Sequence, residues 1–295
     1  MADFYYDQAA GLRRLFAGPP LQVVTFVAGC EGVGRSVTVA NLGVAVARLG
    51  REVMIIDENS SRDDIASAFG LMPRFDLLDL LEGRASLAEV ILQPMHGLRV
   101  LPAARAASKL GCLSASQRQA LLESMAGLSP AMDLILVDAS MAHPQGFSPF
   151  GLVSQDTVVV LSGSSASITE AYAMIKKVSH AYARRHFRIL VNKVRSLHEG
   201  RMIYDNIARV CAQRGVAQLE FAGAVVLDEA LRQASQLGRP LLAHAPGSPA
   251  AAAIRDVAAD LPCWIHGGGE GAGLEQFVQQ LLHLSQRITP NLLRA

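Results

Sequence analysis

The 295-residue chain lacks most of the signals that mark an unusual partner or environment. It has no excess of either charge: 27 Lys and Arg stand against 26 Asp and Glu, a formal net charge of +1. That balance gives no electrostatic basis for bulk nucleic-acid binding, so no direct nucleic-acid partner is expected. Its four cysteines, Cys30, Cys112, Cys211 and Cys263, lie far apart and form no C-x-x-C pair. They read as reduced thiols of a cytoplasmic protein rather than a disulfide framework. No apolar run approaches the ~20 residues that span a bilayer. The opening stretch MADFYYDQAAGLRRLF lacks the continuous apolar segment of a signal peptide. Solenoid repeats and long low-complexity tracts are missing too. His143, His186 and His198 show no ligand spacing with cysteine or carboxylate, so the sequence offers no metal cluster. Apolar residues, in contrast, make up 51% of the chain, enough for a large core in one or two α/β domains.

Those apolar residues fall in short runs that alternate with helical patterns. Strands are expected at Leu21–Val27, Glu52–Ile56, Leu98–Leu101, Asp133–Val137, Thr157–Leu161, Arg188–Val191 and Leu219–Ala224. Helices are expected at Ser36–Leu49, Asp76–Glu82, Ser114–Met125, Ser167–Arg184, Glu199–Arg214 and Asp228–Gln236. Short, continuously apolar strands suit a sheet covered on both faces. The expected fold class is therefore α/β, a doubly wound, mostly parallel sheet with helices on both faces.

Ligands of such sheets sit at the carboxyl ends of the strands. The first expected strand ends in Gly29-Cys30-Glu31-Gly32-Val33-Gly34-Arg35-Ser36-Val37, and a helix follows. This is the phosphate-loop pattern with Arg35 in place of its lysine. Gly32 and Gly34 let backbone N–H groups turn toward phosphate oxygens, and the helix aims its positive end there. Ser36 is suited to hold Mg2+ beside the phosphates. Asp57 closes the second strand and Asp138 the fourth, where an aspartate either holds the metal or caps the next turn. Asn192, at the end of the sixth, either reads a purine edge or forms a turn. Arg184-Arg185-His186 reads as a solvated helix end.

The two ends of the chain stand apart from this alternation. Residues 1–20 hold a short amphipathic arm stopped by Gly18-Pro19-Pro20; it either folds back or docks on a partner. Residues 21–262 form the α/β domain. Residues 263–295 hold a glycine-rich linker and an amphipathic helix with Leu274, Phe277, Val278, Leu281 and Leu282 on one face. That helix suits a membrane surface, the domain itself or a partner.

The phosphate loop, Asp57-Glu58-Asn59, Asp138 and Asn192 together resemble the MinD/ParA class of P-loop ATPases. Asp7-Gln8-Ala9-Ala10-Gly11-Leu12-Arg13 narrows the likeness to the flagellar-number regulators of that class, the FlhG (FleN) type. Ser167–Lys176 and Asp228–Arg232, followed by Arg239-Pro240, are similar to stretches of the same proteins. The resemblance implies ATP and Mg2+ as cofactors, an ATP-dependent homodimer, and an inner-membrane surface reached through the C-terminal helix. It also implies an SRP-type flagellar GTPase as partner, stimulated through Asp7, Gln8, Ala9, Leu12 and Arg13, and in some members a flagellar transcription activator. An ATPase that positions other cargo, in chromosome partition, cell division or cellulose secretion, is the alternative the class offers.

The departures from the class gather at the chemistry. Cys30 replaces the lysine that reaches across the dimer, Glu31 replaces a glycine, and Arg35 replaces the second lysine. Asn59 replaces the aspartate that activates the attacking water, and an amide cannot serve as a carboxylate base. The segment after Asp138, Ala139-Ser140-Met141-Ala142, lacks the usual glycine. The candidate catalytic residues are thus Asn59, Asp57 and Arg35, the metal set is Ser36, Asp57 and Asp138, and hydrolysis is expected to be weak or lost.

Overall fold

The computed structural model describes residues 21–59, 64–140, 147–264 and 273–288. The candidate arm residues Asp7, Gln8, Ala9, Leu12 and Arg13 lie outside the described residues, as do the glycine-rich segment 265–272 and residues 141–146.

Eight strands form one sheet in the order β3-β4-β2-β5-β1-β6-β7-β8. They are β1 Gln22–Val27, β2 Val53–Asp57, β3 Leu92–Met95, β4 Leu98–Pro102, β5 Leu134–Asp138, β6 Asp156–Ser162, β7 His186–Val194 and β8 Gln218–Val226. All neighbouring pairs are parallel except β3 with β4. The seven expected strands are present, with no end shifted by more than three residues. The unexpected one, β3, contains Pro94, a residue that reads as a breaker but is tolerated on an edge strand, where β3 lies.

The helices are α1 Arg35–Arg48, α2 Leu77–Leu81, α3 Leu87–Val90, α4 Ala104–Ala107, α5 Ala115–Ala126, α6 Pro149–Val153, α7 Ser165–Tyr182, α8 Leu197–Gln213, α9 Glu229–Gln236, α10 Leu241–His244, α11 Pro249–Asp260 and α12 Leu274–Ile288. Two apolar clusters cover the two faces of the sheet. Helix α1 is buried along nearly its whole length because α11 packs outside it. Helix α11 is not among the expected helices; the small side chains of its buried face, Ala250, Ala251, Ala253 and Ala258, allow that close approach.

Helix α12 closes the other face. Phe277, Val278, Leu281 and Leu282 are buried in the cluster that also holds Leu121, Met125 and Phe150. Of the three placements open to this helix from sequence, the structure shows packing on the domain, against α5 and α6.

Arg184 corrects an expectation. Its guanidinium does not end in solvent but donates to the Leu152 and Ser154 carbonyls at 3.2 and 2.8 Å, to Ser154 Oγ and to Thr157 Oγ1. The carbonyls at the end of the short helix α6 lack intrahelical donors, and Arg184 supplies them. Arg185 likewise donates to the Gly215 and Val216 carbonyls.

Candidate functional site

The sheet reverses its winding next to β1. The chain passes from β1 to β2 on one side, and from β5 over β1 to β6 on the other. A crevice outside the strand ends is expected at such a point. The phosphate loop follows β1 there, and Asp57 and Asp138 sit opposite each other at the ends of paired strands β2 and β5.

The loop is glycine-dependent at two places. Gly34, the residue before α1, has φ 85°, and a Cβ on it would lie 2.5 Å from Asn192 Nδ2. Gly29 meets the backbone of α7: a Cβ there would lie 2.4 Å from the Glu170 carbonyl carbon. The stretch Ser167–Lys176, set apart in the sequence, thus packs directly on the loop.

Asn192 faces the loop from β7. Its amide donates to the Val33 carbonyl at 2.8 Å and to Thr38 Oγ1 at 3.4 Å, while Oδ1 accepts from the Lys193 N–H at 2.8 Å. Here the side chain acts as a brace under the loop. Lys193, with φ 58°, donates through Nζ to the Gly32 carbonyl at 2.6 Å. It was not singled out in the sequence; the signal was a cation directly after the strand-ending Asn192. Cys30 is half-buried, and Glu31 is exposed on the loop.

Three carboxylates are buried at the strand ends: Asp57, Glu58 and Asp138. Asp57 Oδ1 accepts from the Asn59 N–H at 2.9 Å, and Oδ2 from the Ile65 N–H at 2.8 Å. Glu58 Oε2 accepts from the Ser140 N–H at 3.0 Å, and Oε1 from the Ser148 hydroxyl. Asp138 Oδ2 accepts from the Ser36 hydroxyl at 2.6 Å, and Oδ1 takes the Arg35 guanidinium. Asn59 Nδ2 donates to Ser36 Oγ at 3.3 Å. Burial first, and then the Asp138 charge, push the Asp57 carboxyl well above the usual carboxylate range. Burial likewise pushes Glu58 up to about 7, partly offset by its bonds from Ser148 and Ser140. In the sequence Glu58 is only the middle of Asp57-Glu58-Asn59, because its partners lie 82 and 90 positions away.

The expected metal set is therefore brought together, yet its donors are already engaged. Each of the six oxygens of the three acids accepts from a protein donor. Among the described residues no group of three or more His, Cys, Asp or Glu is arranged to hold a metal ion. In this arrangement the residues do not fit Mg2+.

The chain matches the family described as the CobQ/CobB/MinD/ParA nucleotide binding domain over residues 24–241. It is 31% identical to the antiactivator FleN of Pseudomonas aeruginosa, over 92% of this chain and 97% of that protein. It is 25% identical to the flagellum site-determining protein YlxH of Helicobacter pylori, over 88% of this chain and 89% of that protein. The structure is similar to that of the septum site-determining protein MinD from Pyrococcus horikoshii, solved with Mg-ADP. The TM-score is 0.59 at 20% identity, covering 82% of this chain and 96% of that one. MinD-type proteins are thus neighbours by fold, and FleN is a relative across nearly the whole chain. This chain belongs to the CobQ/CobB/MinD/ParA nucleotide-binding family.

Proposed function

We propose that this protein is a MinD/ParA-type regulator of flagellar number and placement that works with weak or no ATP turnover. The full-length relationship to FleN carries the flagellar part of this reading, and the likeness to YlxH supports it. That FleN is called an antiactivator supports a flagellar transcription activator as one partner. The retained arm, with Asp7, Gln8, Ala9, Leu12 and Arg13, supports an SRP-type flagellar GTPase as another.

The turnover part rests on side-chain chemistry. Asn59 has no carboxylate to take a proton from water, and its amide is directed at Ser36. Arg35 presents a planar fork rather than a compact ammonium. Cys30 is too short to contact a nucleotide across a homodimer, which weakens an ATP-dependent dimer. The protein acts in the cytoplasm and meets the inner membrane only when α12 leaves its place against α5 and α6. Exposing Phe277, Val278, Leu281 and Leu282 costs on the order of 6–12 kcal/mol before lipid gives anything back.

The test has two arms. Cells carrying the chain without residues 1–17 are scored for flagellar number, and the purified protein is scored for stimulation of the partner GTPase. Excess flagella and lost stimulation support the proposal. Unchanged values in both would favour positioning of another cargo.

A further inference from the structure

We infer that Arg35 is a built-in cation that takes the place of a divalent metal at Asp138, so that the switch site is held closed by the chain itself. This builds on the non-turnover reading above and gives it a physical cause. A buried carboxylate must be paired or protonated. Asp138 is fully buried and faces Asp57 across the β5–β2 pairing. In a metal-dependent site that charge would be met by an ion entering with the nucleotide. Here it is met by the Arg35 guanidinium, on the first residue of α1, with 15% of its side chain exposed. The guanidinium is a planar fork, not the compact ammonium of the lysine it replaces, and it is already at the carboxylate, so no ligand need be captured to supply the charge.

The closure reaches beyond that pair. Ser36 donates to the other Asp138 oxygen, and Asn59 donates to Ser36. The chain from β2 to the loop is thereby fixed without nucleotide. Glu58 fastens the far side. It holds Ser140, directly beyond β5, and Ser148, whose hydroxyl also caps α6 by accepting from the Gly151 N–H at 3.2 Å. Helix α6 in turn packs on α12. The acids that a nucleotide-dependent protein would leave for a metal and for movable segments are used here as internal fasteners. A divalent ion could reach Asp138 only by displacing Arg35, leaving the guanidinium without its carboxylate.

The test uses the full chain and Mn2+ as probe. Electron paramagnetic resonance of Mn2+ mixed with the unaltered protein should show the undiminished signal of the free ion. Arg35→Ala should lower the melting temperature by roughly 5–10 °C. It should also remove part of the free-ion signal and recover part of the lost stability on adding Mn2+. Arg35→Ala combined with Asp138→Asn should lose both responses to the metal. Saturable Mn2+ binding by the unaltered protein would overturn the inference even if Arg35→Ala fails to fold. A folded Arg35→Ala protein that ignores Mn2+ would overturn it too. Either result leaves the flagellar reading standing, because that is judged by flagellar number and GTPase stimulation.

Discussion

Arg35 and Asp138, 103 positions apart in the chain, form an ion pair beside the phosphate loop, and the carboxylate has no exposure to solvent. Breaking the pair from the acid side leaves a largely buried guanidinium without its counter-charge. Asp138→Ala should therefore cost about 3 kcal/mol. Urea unfolding at neutral pH measures it; a change below about 0.5 kcal/mol, the scale of an ordinary surface substitution, would show that the pair contributes nothing.

The brace under the loop gives a second expectation. Asn192→Ala leaves the buried Val33 carbonyl without its amide donor, a loss of about 1–3 kcal/mol. Gly34→Ala strains the left-handed backbone and drives a Cβ into the same amide. The double variant should thus be less destabilised than the sum of the single ones, since removing the amide relieves the clash but not the φ. Additive costs in a double-mutant cycle would contradict the close contact.

Glu58 makes stability depend on pH. Its folded pKa, about 7, lies above its ordinary value of 4.5. Between these values the folded state holds more protons than the unfolded one. The stabilising contribution is fully present below pH 4.5 and is lost as pH rises through 7. Glu58→Gln keeps a neutral group that can still bond Ser148, and should flatten that loss. Above pH 7 the variant gains at most about 3 kcal/mol over the unaltered protein. Parallel stability–pH curves for the two proteins would count against the buried-acid assignment.

Helix α12 behaves as core in the structure. Phe277→Ala or Leu281→Ala should cost about 2–5 kcal/mol, as for other buried large-to-small changes. Chemical unfolding and vesicle co-sedimentation, measured together, separate the roles. A helix serving lipid alone would lose vesicle binding with no change in stability.

Much of this was legible along the chain. The phosphate loop announced itself because glycine spacing, a preceding apolar strand and a following helix are all local. The placement of Asp57, Asp138 and Asn192 at one end of the sheet was legible because each closes an apolar run that reads as a parallel strand. The Ser148 clasp on Glu58 and the Arg184 clasp on α6 were not, because each joins residues distant in sequence, with no periodicity to link them. Arg35 was visible as a substitution, but its pairing with Asp138 depends on the β1–β5 register. Strand β3 hid behind Pro94.

Arg35 and Ser36 close on Asp138, and Asn59 closes on Ser36, so ATP turnover is expected to be weak or absent. Calorimetric titration of the purified full chain with ATP and Mg2+, followed by a phosphate-release assay, measures both binding and turnover. The comparison protein carries Cys30→Lys, Glu31→Gly, Arg35→Lys and Asn59→Asp. No saturable heat and little or no phosphate release are expected from the unaltered chain, with binding regained in the fourfold variant. Saturable Mg-ATP binding and steady phosphate release by the unaltered chain would contradict that closure.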